Sequence, residues 1–133
     1  AVNKAFSVAV VKEANLSRIP PLVMTHDYHL YLVGSMVRQA LPDAIIQHFV
    51  HIPWPGPGYW AVAPKPIRNA ILESLCSCDI VGFQTDWDVR NFLLSCQDFV
   101  SGAQVDFSSA TVRPSGAPHS TGPCQCKIWV MRR

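Results

Sequence analysis

Three short apolar runs constrain this chain more than any other feature: Leu22-Val23-Met24, Ile45-Ile46-Gln47-His48-Phe49-Val50 and Ile80-Val81-Gly82-Phe83. Between the first two, Leu30, Val33, Met36, Val37 and Leu41 recur at helical spacing; between the second and third, Ile67, Ala70, Ile71, Ser74 and Leu75 do the same. The middle run is nearly continuous, as a strand covered on both faces should be. Strand, helix, strand, helix, strand with short links predicts βαβ units, a parallel sheet and right-handed crossovers. The fold class is therefore α/β, a Rossmann-like parallel sheet with flanking helices.

The flanking segments extend the pattern. Val2, Ala5, Phe6, Ala9 and Val10 predict an amphipathic helix over residues 1 to about 15, with Lys4, Lys12 and Glu13 off its apolar stripe. Pro20-Pro21 ends what precedes it, because proline lacks the amide proton and bars the helical state before it. Thr85-Asp86 caps a further helix carrying Val89, Phe92, Leu93 and Cys96. Pro53, Pro55, Pro57, Pro64 and Pro66, with Gly56 and Gly58, predict a rigid, irregular loop rather than a helix. After about Phe107 the periodicity stops, so residues 1–107 read as the folded domain and 108–133, rich in Ser, Pro and Gly, as an irregular tail.

Composition narrows the function classes. With 133 residues, 49% hydrophobic and 15% charged, the chain fits one globular domain. A net charge of +2 without a Lys or Arg stripe is too small to argue for nucleic acid or an anionic membrane, and neither is expected as partner. No apolar stretch approaches the ~20 residues of a membrane span. The first residues lack a secretory pattern, so the expected location is cytoplasmic. The five cysteines sit as Cys76/Cys78, Cys96 and Cys124/Cys126. Cys-x-Cys is not the Cys-x-x-Cys of zinc knuckles, so reduced structural thiols are expected rather than a metal site.

Polar residues concentrate where the apolar runs stop: Thr25-His26-Asp27-Tyr28-His29-Leu30, His51-Ile52-Pro53-Trp54-Pro55 and Asp79-Ile80-Val81-Gly82-Phe83-Gln84-Thr85. All three patches are expected at the carboxyl edge of the sheet, where open α/β folds bind ligands. Asp27 can accept from two hydroxyls at once, and His26, Tyr28 and His29 add hydrogen-bonding groups, which suits a polyhydroxylated ligand such as a sugar. The competing reading makes Asp27 the N-cap of a helix beginning near His29. His51 should emerge at the edge on a proline-held backbone, next to Asp27, where the pair could orient a hexose. His48 reads as a core histidine with a backbone partner. Trp54, Tyr59 and Trp60 either stack on sugar faces or pack their loop onto the domain. Gly82 marks close approach of a ligand or neighbouring backbone, and Gln84 and Thr85 are sugar or loop contacts. No Gly-x-Ser-x-Gly, Cys–His pairing, glycine-rich phosphate loop or strand-end Glu is present, so the chemistry reads as binding and orientation.

The three patches, in this order and at these separations, resemble the trehalose-6-phosphate synthases, retaining glucosyltransferases of the two-domain GT-B type. The likeness runs from residue 1 to about Arg113 and identifies the chain as part of the amino-terminal, acceptor-side domain. The resemblance implies transfer of glucose from UDP-glucose to glucose 6-phosphate, giving α,α-trehalose 6-phosphate, with no cofactor or required metal. It assigns Asp27 to the acceptor sugar and His51 to the donor glucose near the reacting centre. It gives Ile52 a part in anomeric selectivity. His26 and Tyr28, flanking Asp27, complete the candidate substrate-binding set. The family's glycine-containing loop and its carboxyl-terminal domain, which hold the UDP, fall outside this sequence. The chain is thus expected to be a fragment with little or no transferase activity alone. The tail from Pro114 to Arg133 departs from the family, as a shifted reading frame or a truncated gene would make it. Three other readings stay open: glycerol 3-phosphate as acceptor, as in glucosylglycerol-phosphate synthases, a non-catalytic sugar-phosphate-binding module, and a non-functional gene remnant.

Overall fold

The structure is a computed structural model describing residues 1–115 and 125–131. Cys124 and the expectation of an irregular course over 116–124 lie outside the described residues. Strands β1 (Leu22–His26), β2 (Ile45–Phe49), β3 (Ile80–Phe83), β4 (Gln104–Asp106), β5 (Thr111–Arg113) and β6 (Cys126–Val130) form one sheet in the order β1-β2-β3-β6-β5-β4. The first four positions in that order are parallel, and β4 and β5 add an antiparallel hairpin. The sequence-predicted α/β sheet is thus present, with β1, β2 and β3 at the three apolar runs.

Helices α1 (Val2–Ala14), α2 (Val33–Ala40), α3 (Pro57–Ala61), α4 (Lys65–Cys76) and α5 (Asp86–Phe99) complete the element list. The chain steps in one direction from β1 to β2 to β3, so right-handed crossovers put α2 and α4 on the same face. Alternation along the strands shows which face that is. Val23, Thr25, Ile46, His48 and Val81 are buried, whereas Leu22, Met24 and Ile45 on the opposite face are exposed. The core lies between the covered face and the helices and is built from Val33, Val37, Ile46, Leu72, Leu75, Val81, Phe83 and Phe92.

Several local expectations are corrected. The segment 1–15 is helical, but Val2, Phe6 and Val8 face solvent and Ser7 is the buried residue. Helix α1 packs on α2 through polar contacts: Asn3 Oδ1 accepts from Leu32 N at 3.1 Å and Asn3 Nδ2 donates to His29 O at 2.9 Å. The proline-rich stretch contains α3, because Pro57 occupies its first turn, where an amide proton has no helical partner to lose. Within 108–133, residues 111–113 and 126–130 are strands, and β6 fills the sheet position beside β3. Cys126 and Ile128 are buried while Lys127 and Trp129 are exposed, a period-two pattern carried by five residues. Asp79 precedes Ile80 and therefore lies at the amino end of β3, opposite to its expected edge.

At that amino end Arg38, 2% exposed, is hydrogen-bonded through all three guanidinium nitrogens. Its guanidinium donates to Ser77 O, Pro42 O, Ala44 O and Asp79 Oδ2 at 3.2, 2.8, 2.6 and 2.7 Å. Asp79 Oδ2 also accepts from Ile46 N at 2.7 Å. This network ties α2, β2 and the α4–β3 connection into one joint, and it leaves the other end of the sheet to the site.

Candidate functional site

Parallel register brings the ends of β1 and β2 together: His26 lies opposite Phe49, and the next amide, Asp27 N, donates to Phe49 O at 2.8 Å. Beyond β2 the chain continues to His51, whose ring nitrogen Nε2 lies 3.1 Å from His26 Nδ1. One imidazole donates and the other accepts, so the two histidines act as a pair. Phe49 supports them, with its ring centroid 4.8 Å from that of His51 and 6.4 Å from that of His26. Gly82 sits opposite Phe49, and a Cβ there would lie 2.6 Å from Phe49 Cδ2, so the glycine makes room for the aromatic ring under the pair.

Asp27 is half-buried and turns the chain out of β1 with φ 65° and ψ 171°. That region of backbone space is essentially glycine's, and a non-glycine residue held there stores strain of about 1–3 kcal/mol. Asp27 occupies the N-cap position of a single 3-10 turn, Tyr28–Leu30, yet its side chain makes no capping bond. Its Oδ1 is buried without a partner. The capping reading therefore does not explain this carboxylate. Tyr28 and Ile52 are exposed at the same edge, Tyr28 stacked on His29 with centroids 3.8 Å apart.

Beneath the edge, His48 is 1% exposed. Its Nδ1 lies 2.8 Å from Thr25 Oγ1, so the partner is a side chain rather than the expected backbone group. Burial, with help from His26 and His51, pushes this imidazole down to about 4, while Asp27 opposes the shift. His48 is neutral at physiological pH. Tyr31, whose ring lies 5.4 Å from that of His48, has its phenol pushed up by burial first and by the Asp27 charge second.

The segment after His51 is held from β3 and α5. Gln84 Nε2 donates to His51 O at 2.6 Å. Asp88 Oδ1 accepts from Trp54 N at 2.8 Å, and Asn91 Nδ2 donates to Trp54 O at 3.0 Å. Thr85 caps α5, its Oγ1 accepting from Asp88 N at 3.1 Å and donating to Asp88 Oδ2 at 2.5 Å. Trp54 is buried with Trp60 stacked on it, so these rings pack the loop. Tyr59 is exposed. Sequence reasoning missed Asp88 and Asn91; their i, i+3 spacing on one face of α5 is the available signal.

Among the described residues, no three His, Cys, Asp or Glu side chains converge in a way that could hold a metal ion. Cys76, Cys78, Cys96 and Cys126 are buried thiols outside any disulfide. Cys76 Sγ lies 3.6 Å from Cys96 Sγ, and burial pushes the Cys96 thiol up. No helix among the described residues is long and apolar enough to cross a membrane.

Comparison with known proteins gives the edge a context. The family description "Glycosyltransferase family 20" matches residues 1–120. A validamine 7-phosphate valienyltransferase of Streptomyces hygroscopicus subsp. jinggangensis is 40% identical over 111 residues, covering 84% of this chain and 22% of that protein. A UDP-forming α,α-trehalose-phosphate synthase of Pichia angusta is 36% identical over 100 residues, covering 71% of this chain and 20% of that protein. The solved amino-terminal domain of a Candida albicans trehalose-6-phosphate phosphatase superposes with a TM-score of 0.76 at 25% identity, over 97% of this chain and 25% of that one. The chain thus spans about a fifth to a quarter of the length of these three proteins.

Proposed function

This chain belongs to glycosyltransferase family 20, and from that premise we propose that its carboxyl sheet edge is the acceptor-side half of a glucosyl-transfer site. In this reading UDP-glucose supplies the glucosyl group, glucose 6-phosphate receives it, and α,α-trehalose 6-phosphate and UDP are the products. The observation that supports it best is the convergence of His26, Asp27 and His51 at adjoining strand ends, with a buried, unpartnered carboxylate oxygen among them.

Asp27 accepts hydroxyls of the acceptor sugar, and His51 orients the donor glucose. Ile52 supplies the apolar wall beside the anomeric carbon, and Tyr28 and His26 border the same recess. Their work is positioning, which can remove much of a barrier when two reactants must meet. Stabilising the departing phosphate charge falls to groups elsewhere in the family's longer proteins. The isolated chain therefore binds sugar phosphate but transfers glucose slowly or not at all.

Acceptor identity carries a second reading, favoured by one observation. The more similar of the two relatives is named for validamine 7-phosphate, so a phosphorylated acceptor other than glucose 6-phosphate is the alternative. Calorimetric titration with glucose 6-phosphate, glycerol 3-phosphate and UDP-glucose separates the alternatives. Glucose 6-phosphate should bind, and Asp27→Asn should abolish the heat. Heat from glycerol 3-phosphate alone would move the acceptor to a smaller polyol, and no heat from any of the three would sink the assignment.

A further inference from the structure

Three buried side-chain polar atoms among the described residues have no hydrogen-bond partner: Asp27 Oδ1, His48 Nε2 and Trp60 Nε1. Buried polar groups are nearly always satisfied, so each orphan asks what it binds. Two of the three belong to neighbours. Thr25 and His48 are register partners, Asp27 follows two residues after Thr25, and its amide bonds to Phe49 O, one residue beyond His48. The Asp27 carboxylate also acts electrostatically on both His48 and Tyr31, whose rings are in contact.

We propose that His48 is a positioning residue for Asp27, and that His48 Nε2 and Asp27 Oδ1 share one buried water that fixes the carboxylate. This inference rests on Asp27 being the acceptor-sugar contact. Neither atom has a protein partner, and a water with two polar neighbours in a buried polar site is the ordinary way to satisfy both.

The local donor count accommodates a water in both histidine tautomers. Thr25 Oγ1 lies 3.4 Å from Gln47 O and 2.8 Å from His48 Nδ1. When the hydroxyl donates to Gln47 O, it accepts Nδ1–H, and the lone pair of Nε2 is left over. Asp27 Oδ1 is also an acceptor, and a water has two protons to give, one for each. When the hydroxyl turns to donate to Nδ1, the proton sits on Nε2, and the same water accepts from the histidine while donating to Asp27. Thr25 thus lets the neutral imidazole hold the water in either tautomer. The neutrality imposed by burial keeps His48 from forming a direct ion pair that would draw Asp27 inward.

The test has two arms. A crystal structure of the full chain that resolves ordered solvent should show a peak within about 3.2 Å of both Asp27 Oδ1 and His48 Nε2. Absence of that peak overturns the inference. In the second arm, His48→Phe should be at least as heat-stable as the native chain but bind glucose 6-phosphate about tenfold more weakly, while His48→Gln, which keeps a polar tip, should bind within about threefold. A histidine with only a packing role would lose stability on replacement and leave binding unchanged. If the native chain binds no sugar phosphate, the proposed function fails, and the solvent peak still decides this inference by itself.

Discussion

Arg38 and Asp27 sit at opposite ends of the same short sheet, and their surroundings differ in kind. Arg38 directs its guanidinium at three carbonyls and a carboxylate, and Asp79 passes the network on to the β2 backbone. Asp27 holds a glycine-type backbone conformation, leaves one oxygen buried without a partner and declines the capping role its position offers. A joint that exists to hold elements together satisfies every polar group. An edge that exists to receive a ligand tolerates strain and leaves polar groups that no protein group satisfies.

The largest effect should come from breaking the satisfied end. Arg38→Met removes the partner of three carbonyls, the one on Ala44 buried, and of the Asp79 carboxylate, and removing one partner from a buried charge network typically costs about 3–5 kcal/mol. Because Asp79 is one-third exposed, the lower part of that range is expected in chemical denaturation.

Acid should expose the other end. His48 has a folded value of about 4 against an ordinary 6.5, so the unfolded chain takes up a proton that the native chain refuses. The native state carries no such penalty above pH 6.5, but loses up to ~3 kcal/mol of stability as the pH falls from there to about 4. Subtracting the stability profile of His48→Phe from that of the native chain isolates it; parallel profiles would contradict a buried neutral imidazole.

Between these ends, Gly82→Ala tests the support under the histidine pair. The new methyl must displace Phe49, at a cost of about 1–3 kcal/mol. The same displacement should separate the His26 and His51 rings, which an NMR distance measurement reads directly.

Much of this architecture was legible in the sequence, and the failures have physical causes. The parallel strands showed as apolar runs, but helices cover only one face: Leu22, Met24 and Ile45 are exposed on the other, so the expectation of a middle strand covered on both faces is not met. The buried face of α1 showed only in part: Val10 packs on the core as expected, but Asn3 and Ser7 supply the rest of the contact and Val2 and Phe6 stay exposed. Asp79 was assigned to the wrong edge because an apolar run has two ends, and a flanking polar residue does not announce which one it marks. Strands β4 and β5 are three residues each and exist through pairing, which a local pattern cannot carry. At the site, the three patches pointed to His26, Asp27 and His51. The orphaned face of His48 and the hold of Asp88 and Asn91 on Trp54 required the tertiary arrangement.

The smallest expected change in stability is also the most direct test of the contrast. Asp27→Gly relieves the φ 65° strain while removing the carboxylate. The account predicts a variant stabilised by about 1 kcal/mol in thermal or urea unfolding that no longer binds glucose 6-phosphate. A variant that is destabilised and still binds the sugar phosphate with native affinity would contradict it.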